Sequence, residues 1–142
     1  MVTSASLPAR SSVPALVGSS KLHGSILVVD DDEIIRNLFI ELFRAEGVAI
    51  RVAGTAQEAL AMVKQAPPAL LMVDVTLPDQ DGIQLLEQVQ ACDHRVISVV
   101  MTGSPSVELA VRAMKAGAAE FFMKPIQNDV VLMTARRLLE LH

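Results

Sequence analysis

The chain of 142 residues has no tryptophan, no tyrosine and one cysteine, Cys92. Aromatic residues amount to 3%. Platforms that stack single-stranded nucleic acid need aromatic faces, so that class is excluded. One cysteine rules out a disulfide framework and a cysteine-based zinc site. No apolar run approaches the roughly 20 residues needed to span a bilayer. Positive charge is not in surplus either: 12 basic residues against 16 acidic ones leave −4. That balance argues against a nucleic-acid-binding surface. What the sequence does have is apolar mass. Hydrophobic residues make up 51% and charged residues 20%, enough for a packed core and too apolar for a disordered chain. The length suits a single domain.

The charge is uneven. Residues 1–24 contain Arg10 and Lys21 and no acid, a charge of +2, so with a total of −4 the rest carries −6. This Ser-, Ala-, Pro- and Val-rich stretch lacks sustained periodicity and reads as a mobile tail or leader. Its acid-free, Arg-containing start is similar to a transit peptide. No amphipathic helix is evident in it, so the tail reading is preferred.

From Ile26 the pattern changes. Ile26–Val29 is a short apolar run, as a strand buried on both faces would be, and Asp30, Asp31, Asp32 and Glu33 end it. Ile34, Ile35, Leu38, Phe39 and Leu42 recur at helical spacing, with Gly47 as the stop. Val48–Val52 reads as a second strand and Ala56–Gln65 as a helix closed by Pro67 and Pro68. Ala69–Val73 is a third strand, ended by Asp74, and Ile83–Gln90 a helix. Arg95–Met101 is a fourth strand, ended by Thr102. Ser104 is the expected cap of the next helix, with Pro105 at its first position and Gly117 beyond its end near Ala116. Ala119–Met123 is a fifth strand, followed by Lys124 and Pro125, and Asp129–Leu141 is the last helix.

Five strand–helix repeats with short connections and continuous apolar strands predict one α/β domain over residues 25–142. Its sheet is parallel with helices on both faces. The pattern resembles the doubly wound, flavodoxin-like (βα)5 fold, which implies the strand order 2-1-3-4-5. No 20–50-residue repeat is present.

In such a sheet ligands bind outside the carboxyl ends of the strands. Asp30 and Asp31 follow the first strand, Asp74 the third, Thr102 the fourth and Lys124 the fifth. Three carboxylates brought together repel unless a cation neutralises them. Oxygen donors select a hard cation, and an incomplete carboxylate set suits Mg2+, which keeps waters and often shares a phosphate. A lysine ammonium can reach a phosphoryl group, and a carboxylate can act as its acceptor. The predicted site is therefore a Mg2+-assisted phosphoryl acceptor.

Four stretches of the sequence carry a family resemblance. They are Ile26–Glu33 (ILVVDDDE), Leu71–Gly82 (LMVDVTLPDQDG), Val100–Gly103 (VMTG) and Gly117–Ile126 (GAAEFFMKPI). In this order they resemble the receiver domain of two-component response regulators, the CheY-like family, over about residues 25–142. The resemblance implies that Asp74 is phosphorylated by a histidine kinase or phosphotransfer protein. Asp31, Asp74 and the backbone carbonyl of Thr76 would bind Mg2+ directly, and Asp30 mainly through a metal-bound water. Thr102 would carry the switch, Lys124 would pair with the phosphate, and the bond to Pro125 is commonly cis. Phe121 stands at the aromatic switch position, where many relatives have tyrosine. Thr76 and Ser104 fall where the family tunes water access.

The resemblance further implies a cytoplasmic signalling module rather than an enzyme with a separate substrate. It would remodel a surface of the fourth helix, fifth strand and fifth helix. Val107, Val111, Met114, Arg112, Arg136 and Arg137 would meet a partner, an effector or a second copy there, though their spacing equally fits core plus a solvated face. The 142 residues contain no helix-turn-helix and no ATPase loop, so either the receiver stands alone or an effector follows residue 142. Weak similarity around Met101–Gly103 and Ala110–Ala118 points to receivers attached to transcriptional activators and other effectors.

Other readings have sequence signatures of their own. One of Asp30–Asp32 suffices to cap the first helix. Asp79 and Asp81, beside Pro78 and Gly82, are expected to form a turn. Phe121 and Phe122 fit the core, the methionines fit packing, and Cys92 fits a small residue after a helix. His23, His94 and His142 have no assigned role. A phosphatase-like enzyme with an Asp nucleophile would need a second acid where Thr76 stands. A flavin binder would need a Gly-, Ser- and Thr-rich loop where Asp30–Asp32 stand. A degenerate, phosphate-independent receiver would lack one of the five site residues, and none is missing.

Overall fold

The computed structural model of the protein describes residues 24–142. The tail assigned to residues 1–24, and His23 within it, lies outside the described residues but for Gly24. The described chain alternates strictly between strand and helix: β1 (Ser25–Val29), α1 (Glu33–Arg44), β2 (Ala49–Ala53), α2 (Ala56–Gln65), β3 (Leu70–Asp74), α3 (Gly82–Cys92), β4 (Ile97–Thr102), α4 (Val107–Lys115), β5 (Glu120–Met123) and α5 (Asn128–Leu141). The strands form one parallel sheet in the order β2-β1-β3-β4-β5. This is the flavodoxin-like order expected from the sequence.

The strands are apolar on both sides of the pleat because both faces of the sheet are covered. Ile26, Val28, Leu70, Met72, Val99, Met101 and Phe122 pack against Phe39 and Phe43 of α1 and Val131, Ala135 and Leu138 of α5. Leu27, Val29, Leu71, Val73 and Val100 pack against Ala59 and Val63 of α2, Leu86 and Val89 of α3, and Ala113 of α4. One face thus carries α1 and α5, the other α2, α3 and α4. The chain runs from β1 out to β2 and returns to β3 on the other side of β1. That reversal opens a crevice at the carboxyl ends of β1 and β3.

Helix starts are set by short polar side chains that accept from orphan N–H groups. Asp32 accepts from Ile34 N at 2.9 Å and Asp81 from Ile83 N at 2.6 Å. Thr55 accepts from Glu58 N at 3.1 Å. The cap of α4 is Ser106, which accepts from Leu109 N at 3.0 Å, not Ser104 as the sequence suggested. The Ser104 N–H is already held by Thr102 Oγ1 at 3.0 Å. A residue before proline also avoids helical backbone, so the chain clears the site before it coils. Cys92 is the last residue of α3 rather than the one after it, and is exposed. Gly47 (φ 75°) and Gly117 (φ 107°) terminate α1 and α4 in left-handed backbone, as expected. At the other end of α2, Arg51 of the edge strand β2 donates to the Ala66 carbonyl at 2.7 Å, satisfying a helix-end acceptor.

Candidate functional site

The sheet ladder runs one residue past the strand ends. Asp30 N donates to Ala53 O at 3.1 Å, Val75 N to Met101 O at 2.9 Å and Lys124 N to Thr102 O at 2.7 Å. These bonds fix where each loop departs and aim the first side chains into the crevice. Asp30, Asp74 and Thr102 are buried, Lys124 is half-buried, and Asp31 and Thr76 are exposed. One carboxylate oxygen from each of Asp30, Asp31 and Asp74 lies within 4.8 Å of the others.

Lys124 Nζ donates to Asp30 Oδ2 at 2.6 Å and to Asp74 Oδ2 at 3.0 Å. The second oxygens are held by the backbone: Asp32 N donates to Asp30 Oδ1 at 2.9 Å, and Thr76 N to Asp74 Oδ1 at 3.2 Å. Burial pushes the Asp74 carboxyl above its ordinary value, and the Asp30 charge adds to the rise. The Lys124 and Thr76 hydrogen bonds only partly offset it. Burial alone would push Lys124 down, yet its bonds to Asp30 and Asp74 outweigh that and hold it above its ordinary value. Three carboxylates against one ammonium leave two negative charges uncompensated. The surplus and the all-oxygen donor set fit a small divalent cation.

The crevice thus brings together Asp30, Asp31, Asp74 and Lys124, with Thr102 buried at the end of β4. The Lys124–Pro125 bond is cis. Phe121 is half-buried against the core shared with α2, α3 and α4, and Phe122 is buried in the opposite core. Arg112 pairs with Asp81 at 3.1 Å, Arg136 with Glu46 at 3.0 Å and Arg137 with Glu120 at 2.6 Å. Val107, Val111 and Met114 stand exposed along α4.

Four residues near the site were not read from the sequence as contributing to it. Arg36 Nη1 donates to the Asp30 carbonyl at 2.8 Å. Asp79 is more than a turn former: its two oxygens accept from Ala56 N and Gln57 N at the start of α2, each at 2.9 Å. Asp81 also does more than turn the chain. It caps α3 with one oxygen and meets Arg112 of α4 with the other. Gly82 sits against the β3 exit, where a Cβ would overlap the Asp74 carbonyl oxygen. Asp81 before an apolar helical run carried a readable cap signal. Asp79 carried none, because its partners lie 22 and 23 residues away.

The class so defined is a doubly wound α/β domain with an acidic pocket around one lysine at its strand ends. The family model described as the response regulator receiver domain matches residues 26–136, and the chain belongs to that family. It is a two-component signalling domain, and receivers of this family bind Mg2+ at an acidic pocket. Among curated relatives it is 31% identical over 113 residues to the transcriptional regulatory protein FixJ of Rhizobium meliloti, covering 80% of this chain and 55% of FixJ. It is 29% identical over 116 residues to the regulatory protein AtoC of Escherichia coli, covering 82% of this chain and 25% of AtoC. The chain therefore spans about half of the one relative and a quarter of the other. Among solved structures it matches a CheY-like receiver domain protein from Methanospirillum hungatei with a TM-score of 0.80 and 32% identity, covering 82% of this chain and 93% of that one. It matches the beryllofluoride-activated NtrC4 receiver domain dimer with a TM-score of 0.78 and 33% identity, covering 82% and 96%. Among the described residues no helix is long and apolar enough to cross a membrane.

Proposed function

We propose that residues 25–142 form a phosphorylation-driven switch in which Asp74 accepts a phosphoryl group from a histidine kinase or phosphotransfer protein. The observation that carries this reading is the Lys124 ammonium shared between Asp30 and Asp74, with Asp31 alongside. An Asp74 oxygen forms a bond to phosphorus as the donor's phosphorus–nitrogen bond breaks, and the electron pair returns to the donor imidazole. Asp31, Asp74 and the Thr76 carbonyl would hold Mg2+, with Asp30 acting through a bound water. The cation supplies charge neutralisation for the phosphoryl oxygens. Lys124 exchanges part of its bond to Asp74 for the phosphoryl group. Thr102, which now accepts from Ser104 N, turns its hydroxyl toward the phosphoryl oxygens and draws the loop before α4 with it. Phe121 follows that movement as the second switch residue.

The donor must cover whatever rings the crevice. Ile34 and Leu38 of α1 are exposed there. Beside them is a cavity of about 370 Å³ whose lining includes Leu38, Phe39, Lys124, Pro125 and Ile126. An apolar, partly helical donor surface suits that rim. The output surface is α4, β5 and α5, with the exposed Val107, Val111 and Met114. It would meet an effector or a second copy of the chain, by analogy with the dimer described for the NtrC4 receiver. The expected compartment is the cytoplasm, where such donors act.

Acetyl phosphate with Mg2+ tests the reading directly. The wild-type protein is expected to gain the mass of one phosphoryl group, and Asp74→Asn none. Equal uptake by Asp74→Asn overturns the assignment of the acceptor. A multiple-turnover release of inorganic phosphate from a small phosphate ester would favour the phosphatase reading.

A further inference from the structure

We propose that Asp79 is a positioning residue for the Mg2+ site, holding the loop between β3 and α3 against the start of α2. The inference rests on the phosphoacceptor reading above. The base of that loop is pinned by the chain itself: Gly82 N donates to Val75 O at 2.8 Å, and Thr76 and Asp81 form an antiparallel bridge. The turn beyond that base, residues 77–80, packs Leu77 into the core and follows directly on Thr76, which is exposed. Asp79, at the outer side of the turn, ties it to α2 by accepting two hydrogen bonds of 2.9 Å from Ala56 N and Gln57 N. Those N–H groups are orphan donors at the positive end of α2. They hold the Asp79 carboxyl below its ordinary value, so it stays ionised.

The same helix start also braces the acids after β1. Gly54, just before the Thr55 cap, lies against Arg36, so that a Cβ there would sit 3.1 Å from Arg36 Nη1. Arg36 in turn donates to the Asp30 carbonyl at 2.8 Å. Both ligand-bearing loops therefore lean on the stretch that opens α2, Asp79 on the N–H groups of its first turn and Arg36 on Gly54 just before its cap. The two loops come from strands separated in sequence, and a cation held between them needs their spacing fixed. Asp79 fixes it for the loop carrying Thr76. A water-exposed acid with no contact to the carboxylate cluster thus acts on the cation through the backbone.

The test separates loop positioning from helix capping. Thr55→Ala removes the cap that α2 makes within its own segment, the Oγ1 bond to Glu58 N, and leaves the loop tether in place. Asp79→Ala removes the tether. Asp79→Asn keeps one acceptor oxygen. The chain has no Trp or Tyr, so binding of Mg2+ as the chloride is read by titration calorimetry and backbone amide shifts rather than fluorescence. Asp79→Ala is expected to raise the Mg2+ concentration for half-saturation by roughly 10-fold, the low end for a group that orients a metal ligand indirectly. Asp79→Asn falls between it and the wild type, and Thr55→Ala binds as the wild type does. At saturating Mg2+ the rate of phosphate uptake of Asp79→Ala returns to near the wild-type value. Unchanged Mg2+ binding in Asp79→Ala overturns the proposal, as does an equal weakening in Thr55→Ala. If Asp79→Ala fails to fold, the same comparison is made between Asp79→Asn and Thr55→Ala. Failure of the wild-type protein itself to bind Mg2+ overturns the phosphoacceptor reading and this inference together, and is seen in a separate arm.

Discussion

Lys124 reaches Asp30 across 94 positions of sequence and holds its carboxylate at 2.6 Å, while Asp30 itself has no solvent-accessible surface. The lysine is the nearest compensation for a fully buried charge. Removing one partner of a buried pair costs more than the pair contributes, because the other charge is left uncompensated.

Lys124→Ala is therefore expected to lose about 3 kcal/mol of stability at neutral pH, the low end for such a truncation because the lysine is half-buried. Urea denaturation in chelator measures it. The Lys124 contribution has a pH limit as well. Its folded value lies above the ordinary 10.5, so its contribution is complete below 10.5 and is lost as pH rises through the folded value. A loss under about 1 kcal/mol would mean that water already solvates Asp30.

Asp74→Asn should stabilise the metal-free protein. The folded carboxyl titrates above its ordinary 3.8, chiefly because it is buried. Stability from this group is therefore complete below 3.8 and falls as pH rises through the higher folded value. The variant escapes that fall. Its melting temperature is expected to exceed the wild type's at pH 7, by a few degrees for a domain of this size, and the gap should close as pH drops toward 3.8. A gap that widens on acidification would contradict the direction assigned to Asp74.

Gly82→Ala tests the close approach behind the site. Its Cβ would overlap the Asp74 carbonyl oxygen and lie 3.0 Å from Val75 Cα, both backbone atoms that cannot rotate away. Overpacking of this kind costs roughly 1–3 kcal/mol. Because the displaced residue is the proposed acceptor, phosphate uptake should slow in step with the fall in melting temperature. Normal stability with normal uptake would show that the loop yields freely.

Asp81 and Arg112 separate a cap from a surface ion pair. Arg112→Ala breaks only the bond to Asp81, between side chains 51% and 32% exposed, and should cost under about 1 kcal/mol. Asp81→Ala also strips the α3 cap at Ile83 N, which adds about 1 kcal/mol. Chemical denaturation of the two variants side by side checks the difference, and equal losses would remove the cap from the account.

Much of the architecture was legible in one dimension. Ile26–Val29, Ala69–Val73 and the run before Thr102 are apolar without alternation, and only a strand covered on both faces needs that. The acids, the threonine and the lysine directly after those strands could be read as a site because the carboxyl edge of a parallel sheet puts them on one rim. The start of α4 is ambiguous in the sequence because Ser104-Pro105 and Ser106 both carry cap signals. The bonds from Ser104 N to Thr102 and from Leu109 N to Ser106 decide between them.

The sequence by itself determined the alternation of elements, the parallel sheet and the residue types gathered at its edge, because periodicity and strand-end position are local properties of the chain. Tertiary structure alone decided which groups bear on one another: Lys124 on Asp30 and Asp74, Arg36 on the Asp30 carbonyl, Asp79 on the start of α2 and Asp81 on Arg112. Hydrogen bonds and ion pairs act over a few ångströms, and the residues that make these are from 6 to 94 positions apart. Where spacing along the chain is unrelated to distance in space, only the packed sheet and its helices set the geometry.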